Sequence, residues 1–154
     1  MSRRRANRQD AKNGRDEMIT AASQQSRTEP TAQEDALARD VIGAAIEVHR
    51  VLGPGLLESV YEEALCVELI ERGIPFTRQQ RVALLYKGQA VGEGRLDFLI
   101  GGAVVVELKA VERLTDVHMA QVLSYLKTTG HRLGLLLNFN VAVLRDGIRR
   151  VISS

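Results

Sequence analysis

Apolar residues recur at the three- and four-residue spacing of an amphipathic helix in two stretches near the start of the chain. The first stretch predicts a helix over about 35–50, and the second predicts a helix over about 56–72. Glycine and proline follow each stretch, at 53–55 and at 73–75, as expected after a helix C-terminus. The folded part therefore begins with two consecutive helices.

Three further apolar stretches are separated by turn residues, and they predict strands. The first two cover 81–86 and 90–100, and the third is a valine-rich run that starts at 104. Lys87 with Gly88, and Gly101 with the residues after it, supply the turns between them. The sequence therefore predicts a three-stranded antiparallel meander.

The last part of the chain predicts one more helix and three short strands. The helix covers about 117–129, with Asp116 as its N-cap and Gly130 as its C-terminal stop. Three strand-like stretches follow: 133–139, 141–144 and 148–152. The last two are joined by an Asp-Gly turn and predict a short hairpin.

Composition and charge indicate one domain with a polar tail. Of the 154 residues, 45% are hydrophobic and 26% are charged, as in ordinary globular proteins. Residues 1–30 hold seven basic and four acidic groups, whereas residues 31–154 hold 14 basic and 15 acidic groups. We therefore expect a disordered basic tail over 1–34 and a near-neutral folded domain over 35–154.

The sequence has no membrane or secretion signal. No stretch approaches the roughly 18 apolar residues of a membrane-spanning helix, and the start lacks the apolar core of a signal peptide. The single cysteine, Cys66, cannot form an internal disulfide and has no Cys or His neighbours at zinc-ligand spacing. We expect a cytoplasmic protein that binds no membrane.

Charged residues interrupt two of the apolar strands. Asp97 lies in the second strand of the meander, and Glu107 and Lys109 lie in the third. Burying an unpaired charge is costly or shifts its pKa, so something must compensate these groups. They could pair with one another and with Arg95 as a half-buried ion network. Alternatively, the two carboxylates could hold Mg²⁺ or Mn²⁺ while Lys109 orients an attacking water.

The loop between these two strands decides whether the carboxylates share a face. A two-residue turn leaves Asp97 and Glu107 on opposite faces of the sheet. A three-residue loop, 101–103, brings them opposite each other, and its glycines suit the left-handed backbone that such a loop needs. We predict the three-residue loop. Strict alternation along the second strand also places Leu96 on the same face as Phe98.

Two helices add polar side chains to the candidate site. Glu58 heads the apolar stripe of the second helix, three residues before Tyr61, although a favourable interaction with the helix dipole also explains an acid there. On the later helix, His118, Gln121 and Tyr125 share one face. For His118 we expect a structural or surface role.

The quoted residues resemble a known family. Residues 55–61 spell G-x-x-E-x-x-Y, and the chain around them resembles the GxxExxY proteins, a family within the PD-(D/E)XK nuclease-like superfamily. The similarity covers about 36–152 and includes the stretches RLDFLI, VVVELKAV, AQVLSYLK and GLLLNFN. Gln121 and Tyr125 also resemble the Q-x-x-x-Y helix of RecB-like nucleases. The resemblance implies an α/β fold of the α+β mixed-sheet kind, a restriction-endonuclease-like core whose central mixed β-sheet contains the antiparallel meander and is flanked by helices.

The resemblance also implies the roles of the site residues. Asp97 and Glu107 correspond to the metal ligands, with the Leu108 carbonyl as a third ligand, and Glu58 corresponds to a helix carboxylate that helps the metal site. Lys109 corresponds to the residue that contacts water or the scissile phosphate. The glutamine and tyrosine of the Q-x-x-x-Y helix correspond to side chains that support the site and the substrate backbone.

These implications lead to an expected function. We expect a nuclease that uses Mg²⁺ or Mn²⁺ to hydrolyse phosphodiester bonds in DNA or RNA. The alternative is a non-catalytic module that keeps the fold and binds nucleic acid or protein, and the near-neutral charge of the folded part favours it. A homodimer, or a partner protein that delivers the nucleic acid, is compatible with either function.

Overall fold

A computed structural model of the protein describes residues 29–154. Three helices and five strands make up this part of the chain, and a short 3-10 helix precedes the last strand. In chain order they are α1 (Ala32–Leu52), α2 (Glu58–Glu71), β1 (Phe76–Tyr86), β2 (Gln89–Ile100), β3 (Val104–Lys109), α3 (Asp116–Thr129), β4 (Leu133–Asn138), the 3-10 helix (Leu144–Gly147) and β5 (Ile148–Ile152).

The five strands form one mixed sheet in the order β1-β2-β3-β4-β5. β3 and β4 are parallel, because α3 connects them as a crossover, and every other neighbouring pair is antiparallel. The mixed α/β architecture and the antiparallel meander that the sequence predicted are therefore confirmed.

Helices cover both faces of the sheet. α1 and α2 pack on one face, where Leu65 belongs to the same apolar cluster as Val106 and Leu135. α3 packs on the other face through Val122 and Leu126. Because β3 and β4 are buried on both faces, they are continuous apolar runs, and a charge within them is exceptional.

Helix α1 begins at Ala32, earlier than the predicted start at 35. Thr31 is its N-cap, and a capping box joins the Thr31 side chain to the Glu34 backbone N–H and the Glu34 side chain to the Thr31 N–H. The first turn of α1 therefore includes residues that we assigned to the tail. The rest of the predicted tail, residues 1–28, lies outside the described residues.

Two local predictions are wrong. Asp116 is not the N-cap of α3, because the Thr115 side chain accepts the His118 backbone N–H instead. The stretch 141–144 is not a strand: the ring of His49 donates to the Val141 carbonyl at 2.7 Å, and β5 pairs with β4. The free edge of β4 offers β5 a longer partner than a four-residue hairpin strand would.

No helix within residues 29–154 is long and apolar enough to cross a membrane.

Candidate active site

The loop between β2 and β3 sets the register that the sequence predicted. Ile100 pairs with Val104, so the loop has three residues, and the Ala103 N–H donates to the Ile100 carbonyl at 3.0 Å. Gly101 and Gly102 both have positive φ, +56° and +68°. Glycine adopts this conformation without steric cost. The pairing of Ile100 with Val104 confirms the prediction of the three-residue loop.

Away from this loop, the backbone pairing between β2 and β3 ends, and hydrogen bonds to two carboxyl side chains take its place. The ladder ends at Phe98 opposite Val106, and Asp97 and Glu107 come next in the same register. The Asp97 N–H donates to Glu107 Oε1 at 3.2 Å, and the Leu108 N–H donates to Asp97 Oδ2 at 2.8 Å. The two strands are therefore joined here through the two side chains.

Strand β2 is also irregular at Asp97. Leu96 packs with the α3-side cluster, whereas Phe98 packs with the cluster under α1 and α2, so the prediction that they share a face is wrong. Gln79, which lies opposite on β1, has a φ of +54°. Because the alternation breaks at Asp97, the carboxylate can reach the edge of β3 instead of pointing into a core.

Burial destabilises the charged forms of both acids. Glu107 is 4% exposed, and burial together with the nearby charge of Asp97 raises its pKa to about 9. Burial likewise raises the pKa of Asp97, which the hydrogen bond from the Leu108 N–H opposes. A proton or a cation between them would relieve this cost.

Lys109, Gln121 and Tyr125 form one line of contacts beside the carboxylates. Lys109 Nζ donates to Gln121 Oε1 at 3.4 Å, and Gln121 Nε2 lies 3.5 Å from the Tyr125 hydroxyl. Burial and the charge of Glu107 raise the pKa of Tyr125. The Tyr125 ring lies against Gly94, where a Cβ would be 2.6 Å from the ring. The predicted face of α3 therefore meets the carboxylate strands.

Glu58 approaches the same site from α2. It is the first residue of that helix, and burial and the charge of Asp97 raise its pKa while Lys109 opposes this shift. Tyr61 holds the preceding loop, because its hydroxyl donates to the Gly53 carbonyl at 2.6 Å and accepts the Leu56 N–H at 3.1 Å. The spacing inside G-x-x-E-x-x-Y thus joins an acid, Glu58, to the residue that anchors its helix start, Tyr61.

Sequence reasoning missed two side chains that support Asp97. Gln79 donates to Asp97 Oδ1 at 3.3 Å and also to Glu62, which Arg78 holds in a 2.7 Å ion pair. Glu62 lies one helical turn after Glu58, and this i, i+4 spacing could have indicated it. Gln79 carries no comparable signal.

His118 has the structural role that we expected. Its Nδ1 accepts the Thr115 N–H at 3.0 Å at the start of α3, which completes a capping box.

Comparison with known proteins identifies the family. The sequence model of the PD-(D/E)XK nuclease superfamily matches residues 35–151. The chain belongs to the PD-(D/E)XK nuclease superfamily. Its restriction-endonuclease-like core, expected from the sequence, is therefore confirmed.

Other comparisons are more distant for this PD-(D/E)XK nuclease domain. The solved structures that resemble it include the alkaline exonuclease LHK-Exo from Laribacter hongkongensis, with a TM-score of 0.46 and 12% sequence identity. That match covers 83% of this chain and 73% of the exonuclease chain. Comparison with curated protein sequences gives no significant match.

Proposed function

We propose that this superfamily member is a metal-dependent nuclease that hydrolyses phosphodiester bonds in DNA or RNA. The observation that carries the proposal is the pair of carboxyl groups of Asp97 and Glu107, which are held together beside Lys109 although burial raises the pKa of each. A purely structural domain gains nothing from this arrangement, whereas a cation would offset its cost.

The residues fit a hard divalent cation, Mg²⁺ or Mn²⁺. No group of three or more His, Cys, Asp or Glu side chains in residues 29–154 is arranged to hold a metal, but Mg²⁺ commonly needs one or two carboxylates with water and phosphate oxygens. Asp97 and Glu107 are those two ligands in our proposal, and Glu58 assists them. When bound, the ion would lower the pKa of a water and offset negative charge on the phosphate.

The Leu108 carbonyl is the third proposed ligand. The Lys109 carbonyl accepts the Phe139 N–H at 2.9 Å on the β4 side. Successive carbonyls of a strand point in opposite directions, so the Leu108 carbonyl is directed towards β2, beyond the point where the β2–β3 ladder ends. It therefore faces the side on which Asp97 lies.

Lys109, Gln121 and Tyr125 act on the substrate in this proposal. The Lys109 ammonium orients the attacking water and offsets charge on the phosphate, and Gln121 holds Lys109 Nζ in place. Tyr125 supports Gln121 from the next turn of α3. These two residues correspond to the Q-x-x-x-Y helix. We therefore propose that the protein belongs to the GxxExxY family and to the RecB-like Q-x-x-x-Y variant. We also propose a cytoplasmic location.

A cleavage assay tests the function. Wild-type protein is incubated with single- and double-stranded DNA and RNA in Mg²⁺, in Mn²⁺ and in EDTA, beside Glu107→Ala and Lys109→Ala. We expect metal-dependent cleavage that falls by roughly 10³-fold in Glu107→Ala, since the metal's effect is worth several kcal/mol. Glu71→Ala and Lys127→Ala, at exposed positions, are the matched controls.

Two outcomes would reject this site. Cleavage that survives both substitutions would place the chemistry elsewhere. Binding of nucleic acid without cleavage under any of these conditions would favour the non-catalytic module, for which the near-neutral charge of residues 31–154 is the supporting observation.

A further inference from the structure

The outer half of the β1–β2 hairpin extends away from the rest of the described chain. We call residues 81–95 the outer ribbon. Within it only Val82 and Gly94 are buried, so residues 83–93 contribute no buried side chain to the core. A two-stranded ribbon of this kind is barely stable on its own in water, and its outer residues 83–93 add nothing to the buried core.

The tip of the outer ribbon is a tight turn beside exposed apolar side chains, and Lys87 Nζ lies 5.5 Å from the centre of the Tyr86 ring. Lys87 and Gly88 have φ values of +49° and +79°, as in the tight turns that match strand twist. Next to this turn, Leu85, Tyr86 and Val91 are 61%, 63% and 64% exposed. Exposed aromatic and aliphatic side chains on a defined turn suit contact with the flat faces of unpaired bases.

The base of the outer ribbon carries two unpaired cations. Arg81 and Arg95 are directly opposite each other in the β1–β2 register, and both are exposed. Neither has an acidic partner among residues 29–154, in contrast to Arg78, which pairs with Glu62 and Glu63. Like charges directly across a strand pair destabilise it, so an anion bound there would relieve a cost.

The outer ribbon is a basic region of a near-neutral domain. It holds Arg81, Lys87 and Arg95 against one acid, Glu93. The remainder of 31–154 then holds 11 basic and 14 acidic residues, because the whole range holds 14 and 15. Arg95 also precedes Asp97 by two residues, about 7 Å along the strand. A strand of nucleic acid at the carboxylates therefore continues over this basic patch.

We propose that the outer ribbon docks single-stranded nucleic acid, with Arg81 and Arg95 on backbone phosphates and Tyr86 with its apolar neighbours on unpaired bases. This inference rests on the proposed function, since it assigns the substrate class of the same site. Tyr86 lies five residues beyond Arg81, roughly 16 Å, and strand alternation places the two side chains on opposite faces of the ribbon. The bound strand therefore crosses the edge of the ribbon, and the contact covers several nucleotides. A duplex would present phosphates, and not base faces, to the tip.

Binding measurements without divalent metal test the proposal separately from cleavage. A labelled single-stranded oligonucleotide is titrated in EDTA, at 50 mM and 200 mM salt, with wild type and with the double variant Arg81→Gln, Arg95→Gln. The loss of two phosphate contacts should reduce the slope of log affinity against log salt concentration by about 1.4. Between 50 mM and 200 mM salt, the affinity of the wild type should therefore fall by a factor roughly sevenfold larger than that of the variant. The control is the double variant Arg145→Gln, Arg149→Gln, which has the same change in charge. Both residues are exposed; Arg149 lies on β5, the opposite edge strand, and Arg145 lies just before it.

A second variant tests the tip. Tyr86→Ser should weaken single-strand binding by roughly 5- to 100-fold and leave the salt slope unchanged, because it removes stacking and no charge. Duplex of the same length should bind the wild type more weakly than the single strand. Thermal unfolding of each variant shows that these exposed substitutions keep the fold.

The results separate this inference from the proposed nuclease. If the arginine variant and Tyr86→Ser bind as wild type does while Glu107→Ala abolishes cleavage, the ribbon inference is overturned and the nuclease stands. If ribbon variants lose binding but wild type cleaves nothing, the docking surface stands and the nuclease does not. A wild-type dimer that becomes monomeric in Tyr86→Ser with unchanged binding would assign the tip to a second copy of the chain, and would also overturn the inference.

Discussion

The two ends of the β2–β3 pair differ sharply although one register governs both. At the closed end, Ile100 and Val104 are fully buried and a three-residue loop joins them. At the open end the strands separate, and Asp97 and Glu107 link them through side chains. At the closed end, local backbone preference and apolar packing both favour a regular ladder. At the open end the ladder is absent and acids are buried, and such departures from the usual rules concentrate at functional sites.

The comparison also shows why the open end depends on the closed one. At the open end only side-chain contacts of two buried acids join the strands, so the backbone ladder of the apolar end sets their register. In return, the open end can respond to a proton or a cation, because burial there makes the charged forms of both acids costly. Changes at the two ends should therefore have different consequences, and four predictions test this.

The largest effect that we predict is a fall in stability with rising pH. In the metal-free protein the pKa of Glu107 is about 9, against 4.5 for an ordinary glutamate, so the folded state binds more protons between these values. The contribution of Glu107 to stability is then greatest below about pH 4.5 and is lost as pH rises towards 9, by up to several kcal/mol. Asp97, whose pKa is also raised, acts in the same direction.

Urea unfolding in EDTA at several pH values measures this effect. Glu107→Gln should be more stable than wild type near pH 8 and should lose most of the pH dependence, while Glu71→Gln on the exposed end of α2 should behave as wild type. Mn²⁺ should stabilise wild type at that pH and leave Glu107→Gln unchanged. A wild-type stability that is flat or rises as pH increases towards 9 would contradict a buried, protonated Glu107.

The closed end should respond through its loop. A Cβ on Gly101 would lie 2.8 Å from Leu37 Cδ1, and the φ of +56° is itself unfavourable for other residues. Gly102 has a similar φ but open space around it. We expect Gly101→Ala to cost about 2–4 kcal/mol of unfolding free energy and Gly102→Ala about 1–2 kcal/mol. Equal losses in urea unfolding would show that Leu37 does not constrain the loop.

The closed end could be predicted from the sequence, and the open end only in part. Gly101 and Gly102 before a valine run define the loop locally, so register and the meeting of Asp97 with Glu107 followed from spacing alone. The break in alternation at Asp97 did not, because it depends on the Leu108 N–H and on Gln79, which are distant in sequence. Pattern rules assume a regular ladder, and this ladder ends where the site begins.

The errors elsewhere have similar causes. Thr115 and Asp116 are both good caps, and the capping box that Thr115 forms with His118 selects Thr115. The stretch 141–144 alternates like a strand, but β5 has a longer partner in β4. In each case a specific contact selected between two local structures that the sequence permits.

Gln79 should affect the open end alone. It joins Asp97 to Glu62, and its φ of +54° suits Asn, so Gln79→Asn keeps the backbone but shortens the amide by one methylene. We expect Mn²⁺ affinity to fall by about 10- to 100-fold, as for other groups that orient metal ligands. The control is Gln80→Asn, because the Gln80 side chain accepts a hydrogen bond from Thr77. An Mn²⁺ affinity unchanged in Gln79→Asn would mean that Asp97 is positioned by the Leu108 N–H alone.

The smallest effect separates two neighbours on one face of α3. His118 completes the capping box with Thr115, whereas Gln121 contacts Lys109. We therefore expect His118→Ala to cost about 0.5–1 kcal/mol of unfolding free energy and to leave metal-dependent cleavage unchanged. Gln121→Ala should reduce cleavage and leave the unfolding free energy unchanged. Urea unfolding and the cleavage assay on the same preparations measure both. If His118→Ala loses more cleavage than its loss of stability explains, His118 belongs to the site. The site would then extend one helical turn earlier, to the start of α3.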